Sequence, residues 1–375
     1  VNFDFLKKRF MPWMGALVFF SAMSVLAATA VWGGKAGGES LHPALYWEAL
    51  KEGLVRCVLC PNRCVLQDGQ IGACKARKNV RGKLYSLVYG VASSVHLDPI
   101  EKKPFYHFLP GSGAYSVGTT GCNLQCKFCQ NWQIAQIFPW QTESRSLPPA
   151  ELVDAAVRLG ARSIAFTYNE PTIAYEYVLD TAKLARAKGL KTVLVSSGYI
   201  NQKPLEELLL DVDGYKIDLK GFEDRFYRDL TSGSLAPVLE AIQTIHRSGV
   251  WLEIVNLVIP GENDRDEEIL ALSKWVKENL GEDVPLHFTR FHPQYKLLNK
   301  PPTPFETLAH ARKLALGVGL RFVYTGNAAD EEGGTTYDPV TGVPLIRRVG
   351  FFVTENRVNS EGVSPDGTHL PGVWS

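Results

Sequence analysis

Gly121-Cys122-Asn123-Leu124-Gln125-Cys126-Lys127-Phe128-Cys129-Gln130-Asn131-Trp132 holds three cysteines spaced C-x3-C-x2-C, with an aromatic residue just before the last. Three thiolates this close can hold three irons of a four-iron, four-sulfur cluster. The fourth iron is then left without a protein ligand. Electron-transfer ferredoxins normally close every iron with a thiolate, so an open iron points to a further ligand that binds there. The bland alternative is a zinc site built from the same cysteines.

Working outward, the run follows an apolar, strand-like stretch at 115–119. Further strand patterns lie at 163–168, 191–197, 214–219, 251–259, 285–291 and 321–325. Amphipathic stretches separate them at 149–159, 172–188, 236–248, 266–279 and 304–316, and a short helix is expected at about 43–53. Val- and Ile-rich strands that alternate with helices imply βαβ units and a parallel sheet. The fold class is α/β, a partial (β/α) barrel. In such barrels chemistry collects at the C-terminal strand ends. Polar residues recur there: Cys122 after the first strand, Asn169-Glu170-Pro171 after the second, and Ser196-Ser197-Gly198 after the third. Asp218 and Lys220 end the fourth strand, His292 the sixth, and Gly326-Asn327 the seventh.

The chain has 375 residues, 21% of them charged, and a net charge of +1, so nothing in the balance points to nucleic acid. All seven cysteines fall between Cys57 and Cys129. Scattered core cysteines would not cluster so, and metal ligation is the expectation. Lys7-Lys8-Arg9 precede an uncharged, mostly apolar stretch at 10–32 with Ala28-Thr29-Ala30 near its end. This stretch is expected to be a signal peptide or a membrane anchor, since 23 residues can span a bilayer. Basic residues before it would leave the rest of the chain outside, whereas reductive chemistry expects the cytoplasmic side.

The run Cys122-x3-Cys126-x-Phe128-Cys129 resembles the signature of the radical S-adenosylmethionine (SAM) enzymes. Asp98-Pro-Ile-Glu-Lys-Lys-Pro104, Phe105-Tyr-His-Phe-Leu-Pro-Gly111, Thr167-Tyr-Asn-Glu-Pro171 and Pro371-Gly-Val-Trp374 resemble one subgroup, the radical SAM component of the AmmeMemoRadiSam system. That subgroup is related to pyruvate formate-lyase activating enzymes, and the similarity covers about residues 50–375. The resemblance implies a [4Fe-4S] cluster on Cys122, Cys126 and Cys129, with SAM on the open iron. One electron then cleaves SAM, and the resulting carbon radical removes hydrogen from a substrate. The resemblance further implies that Phe128 packs near cluster and adenine. Asn169 and Glu170 stand where the family's Glu accepts a hydrogen bond from the methionine amino group. Lys220 would face the SAM carboxylate and Asp218 would help hold a monovalent cation. Ser196 and Ser197 replace a more usual Asp/Thr-type pair. His292 and Asn327 are candidates for the pocket rim. Without a ligand, Glu170 could cap the helix at Pro171, and Asp218–Lys220 could be a buried ion pair.

Cys57, Cys60, Cys64 and Cys74 form C-x2-C-x3-C-x9-C, a pattern for zinc, a full iron–sulfur cluster or disulfides. Around them Arg56, Arg63, Lys75, Arg77, Lys78, Arg81 and Lys83 face one acid, Asp68. This basic face suits an acidic electron donor such as a flavodoxin or ferredoxin. The subgroup's C-terminal zinc ribbon is degenerate here. Its ligand positions hold Asp338, Thr341, Val363 and Asp366, so hairpins without zinc are expected.

The expected organisation is a signal or anchor (1–32), a linker (33–56), an N-terminal cysteine module (57–110), a radical SAM core (111–328) and a zinc-ribbon-like tail (329–375). The expected activity is SAM-dependent hydrogen abstraction. The partner would be a glycyl-radical enzyme or Memo/AMMECR-type proteins. The rivals are a two-cluster electron-transfer protein without SAM chemistry and an inactive anchored scaffold.

Overall fold

The computed structural model describes residues 41–375. Eight strands form its main sheet: β1 (Ser94–Pro99), β2 (Gly113–Gly118), β3 (Ser163–Phe166), β4 (Lys191–Ser196), β5 (Gly214–Asp218), β6 (Trp251–Val258), β7 (Leu286–Arg290) and β8 (Val323–Gly326). They lie side by side in chain order, from β1 at one edge to β8 at the other. β2 to β8 run parallel, and β1 pairs antiparallel with β2, Val95 opposite Val117. β1 and β8 do not pair, so the barrel is partial and open.

Helices α1 (Pro149–Arg158), α2 (Tyr175–Ala187), α3 (Gln202–Leu209), α4 (Ala236–Ser248), α5 (Asp266–Leu280) and α6 (Phe305–Val318) fill the crossovers. Both faces of β3 are buried, as a parallel strand covered on two sides requires. α4 and α6 stop at Gly249 and Gly319, both left-handed.

The lower end of the barrel is plugged by the Phe105–Leu109 segment. Phe105 and Phe108 pack on Ala114, Ala165 and Val193, and a Cβ on Gly214 would press the Phe108 ring at 3.1 Å. Below it, Glu253 on β6 is fully buried and accepts from the Tyr106 and His107 amides and the Trp251 indole, and it bonds His287 Nε2 at 2.7 Å. The C-terminal Pro371-Gly-Val-Trp motif closes this plug: Leu109 N donates to Val373 O at 2.7 Å, and Val373 N to His107 O at 2.8 Å. Two separated sequence motifs are thus one structural lock.

Three expectations are corrected. The helix expected at about 43–53 is absent: His42–Pro43 and Trp47–Ala49 are short strands, followed by one 3-10 turn at Lys51–Gly53. Positive φ at Tyr46 breaks any helix there, and Trp47–Ala49 pairs with Val55–Cys57 instead. Arg77 does not belong to the basic surface; it is buried and paired with Glu176 at 2.5 Å. Membrane association is withdrawn, because among the described residues no helix is long and apolar enough to cross a membrane. The stretch 10–32 on which it rested lies outside the described residues.

In the tail, Thr336–Tyr337, Pro344–Val349 and Phe352–Asn356 form a three-stranded antiparallel sheet. Buried Asp338 accepts from the amides of Val340 and Thr341 and from Ser364 Oγ at 3.0 Å. That side-chain bond joins the turn at 338–342 to the turn at 364–367.

Candidate functional site

The loop after β2 begins at Gly121, whose φ of +100° suits glycine alone. A Cβ there would collide with the Cys74 carbonyl oxygen. The same oxygen accepts from Cys122 N at 3.2 Å. Asn169, at the end of β3, donates from Nδ2 to Gly121 O at 2.9 Å and to Thr119 Oγ1 at 3.0 Å. Its Oδ1 accepts from Thr119 N at 3.1 Å. Asn169 therefore holds the loop in place. On the far side, Gln125 N and Lys127 N each donate at 2.8 Å to the carbonyls of Thr231 and Leu230.

So anchored, Cys122, Cys126 and Cys129 line one cavity of about 480 Å³ at the C-terminal strand ends. All three are free thiols. Burial pushes the thiols up, Cys126 to about 12, while the nearby Lys220 ammonium pulls Cys126 and Cys129 the other way. A bound metal centre is what would deprotonate such buried thiols. Three free thiols on one cavity wall, with Leu124 N donating to Cys122 Sγ at 3.4 Å, fit a cluster bound by three cysteines. Phe128 is buried against Phe226, ring centroids 5.8 Å apart, and lines the cavity.

Glu170 is buried at the end of β3. One carboxylate oxygen accepts from Thr172 N at 3.0 Å and Ser196 Oγ at 2.7 Å. The other accepts from Ser197 N at 2.8 Å and Ser197 Oγ at 2.7 Å. Glu170 thus caps the Pro171–Ala174 turn, and the serine pair fixes its rotamer. A carboxylate has about four acceptor positions, so an incoming amino group would have to share or displace one of these donors.

Asp218 lies between two ammonium groups. Lys220 Nζ is 2.9 Å from Oδ2, and Lys216 Nζ bonds Oδ1. Burial alone would raise the Asp218 carboxyl, but the two lysines hold it at about 2. Lys216, Asp218 and Lys220 recur at the period of two that puts strand residues on one face. Lys216 thus gives Asp218, the residue expected to help hold a monovalent cation, a second ammonium partner.

Sequence reasoning missed Lys216 and the opposite wall. Asp98 on β1 bonds Lys102 Nζ at 2.9 Å, Lys103 Nζ at 2.6 Å and the Tyr168 hydroxyl at 2.6 Å. Lys102, Lys103 and Tyr168 line the cavity, and Lys103 Nζ also sits 4.4 Å from the Tyr168 ring centroid. Phe351, at the hairpin tip of the tail, reaches the same cavity. Asn327 lines it at positive φ, whereas His292 is exposed and outside its lining. The period-two pattern of 216, 218 and 220 was the available signal for Lys216. Lys103 lies within the 98–104 motif, which named no role for it, and nothing local marks Phe351, which reaches the cavity through long-range packing.

Residues 116–273 match the family model of the radical SAM superfamily. An uncharacterized protein of Methanocaldococcus jannaschii is 42% identical over 311 residues, 83% of this chain and 92% of that one. The pyruvate formate-lyase 1-activating enzyme of Escherichia coli is 22% identical over 224 residues, 54% of this chain and 89% of its own. A solved radical SAM methyltransferase of Sphaerobacter thermophilus has 16% identity and a TM-score of 0.46, covering 59% of this chain and 68% of its own.

Proposed function

Because the chain belongs to the radical SAM superfamily, we propose that Cys122, Cys126 and Cys129 hold a [4Fe-4S] cluster and that SAM and a hydrogen-donating substrate share the cavity above it. The observation that carries this is the convergence of the three free cysteines, Glu170, Asp218 and Lys220 on one cavity at the strand ends. When bound, cluster and SAM supply one-electron cleavage of the sulfonium and hydrogen-atom abstraction by the carbon radical released; the hard chemistry is the cofactor's.

The protein's own groups bind and orient. Lys220 offers an ammonium to the SAM carboxylate while Asp218 anchors it. Glu170, fixed by Ser196 and Ser197, sets a negative charge beside Cys122 for the SAM amino group. Phe128 supplies an apolar wall for the adenine. Lys102 and Lys103 form the wall for substrate. Four lysines line the cavity against Glu170 and Asp218, which suits a substrate with a carboxylate or phosphate. A glycyl-radical protein as substrate is a second reading, supported by the similarity to the pyruvate formate-lyase-activating enzyme. The electron comes from a flavodoxin- or ferredoxin-type donor.

Binding of SAM to the anaerobically reconstituted chain tests the assignment. Calorimetry is expected to give one SAM per chain for the wild type, and at least tenfold weaker binding for Lys220→Met. Equal binding by protein lacking Cys122, Cys126 and Cys129 would refute it.

A further inference from the structure

The tail follows β8 in the chain, yet its hairpin docks on the residues that follow β1, at the other edge of the sheet. The hairpin strands Pro344–Val349 and Phe352–Asn356 pair with Arg348 opposite Val353 and Val349 opposite Phe352. Arg348 Nη2 donates to Tyr106 O at 2.7 Å, and its guanidinium carbon lies 4.1 Å from the Tyr106 ring centroid. Its Nε is 3.7 Å from Glu101 Oε1, which also accepts from Gly111 N at 2.9 Å. A Cβ on Gly111 would meet Val353 at 3.6 Å. Arg348 and Glu101 are both buried, and breaking such a pair leaves an uncompensated charge. The rung of Arg348 and Val353 is therefore held in place.

The hairpin tip lies just beyond that rung. Gly350 turns the chain at a φ of +60°, and the two aromatics after it face opposite ways. Phe352 is 68% exposed, whereas Phe351 is half-buried and lines the cavity. Phe351 packs into none of the three apolar clusters formed by the described residues. A phenyl ring on a cavity wall, outside the core, leaves water only when something apolar fills the space beside it. Glu101, which anchors the hairpin, immediately precedes Lys102 and Lys103, and both lysines line the same cavity.

We propose that Phe351 is a specificity-determining residue, contacting an apolar group of the substrate whose carboxylate or phosphate lies against Lys102 and Lys103. The substrate class is then an anion with an aromatic or aliphatic body. This rests on the reading of Lys102 and Lys103 as the substrate wall. In small-molecule sites a few polar groups fix orientation while apolar walls supply most of the contact. Here the lysines would orient, and Phe351 would select.

Phenyl phosphate and inorganic phosphate carry the same anionic group with and without an apolar body. Their binding is measured by calorimetry on the full chain, reconstituted anaerobically, with the cluster kept oxidised and SAM present to occupy Lys220. The wild type should bind phenyl phosphate at least about tenfold more tightly than inorganic phosphate. Phe351→Ala should shrink that preference to about threefold or less, with inorganic phosphate bound as before, and Phe351→Leu should keep part of it. No preference in the wild type, an unchanged preference in Phe351→Ala, or equal weakening of both probes would overturn the proposal. Lys103→Met tests the wall separately: it should weaken both probes alike and keep the preference. Phosphate binding indifferent to Lys103→Met would remove the lysine wall, whereas a preference lost in Phe351→Ala would still assign the apolar contact, so the two readings fail separately.

Discussion

The Cys122 amide donates to the Cys74 carbonyl at 3.2 Å, with Gly121 fitted against the same oxygen at a φ that only glycine adopts freely. The segment that carries Cys74 thus helps set the geometry of the loop that carries Cys122, Cys126 and Cys129. Gly121→Ala adds backbone strain of about 1–3 kcal/mol and a collision with that carbonyl. The variant is expected to fold with a lowered melting temperature and to lose more than half of the iron at Cys122, Cys126 and Cys129. Unchanged iron content would show that the contact does not position the loop.

Lys216 gives Asp218 its second ammonium partner. Lys216→Ala removes that charge and leaves a gap beside the Asp218 carboxylate, which suits a monovalent cation. SAM turnover by the variant should become dependent on potassium or sodium, with at least threefold stimulation, while the wild type stays indifferent. A wild-type enzyme that itself requires the cation would contradict the role given to Lys216.

Burial pushes the Lys103 amine down to about 8 against an ordinary 10.5, with Lys102 and Lys216 adding to the shift and Asp98 opposing it. Between about pH 8 and 10.5 the unfolded chain holds the extra proton, so this group's contribution to stability rises with pH across that window. The charge it offers an anionic substrate is lost around the lower end of that window. Binding of a probe such as citrate in the cavity should therefore weaken as pH rises through about 8. Lys103→Arg should move that midpoint upward, since a guanidinium stays charged. A flat profile in the wild type would remove Lys103 from the substrate wall.

With Arg77 buried, the basic face for an electron donor reduces to exposed residues such as Arg63, Arg81 and Lys83. Reversing these three charges should slow reduction by a flavodoxin at least tenfold at low salt and much less at high salt, as screening predicts. Equal rates at low salt would place the donor elsewhere.

Much of this arrangement was legible in the sequence because its signals are local. Strands 191–197 and 214–219 differ from β4 and β5 by one residue at their ends, since continuous Val and Ile runs mark fully buried parallel strands. Cys122, Cys126, Cys129, Glu170, Asp218 and Lys220 were marked by motif and strand-end position. β1 escaped because Ser94-Val-His-Leu-Asp-Pro99 has exposed residues on an edge strand and weak alternation. Arg77 read as surface charge, because only the fold brings Glu176 to it across 99 positions. Phe351 is one of several aromatics in a tail hairpin, and only tertiary packing turns it toward the cavity.

The central claim is that Cys122, Cys126 and Cys129 support reductive SAM chemistry. Its most direct test is 5′-deoxyadenosine released by the anaerobically reconstituted, dithionite-reduced full chain incubated with SAM. The account predicts one 5′-deoxyadenosine per SAM consumed, with none above background from Cys126→Ala. No 5′-deoxyadenosine from wild-type protein with a loaded and reduced cluster would contradict it.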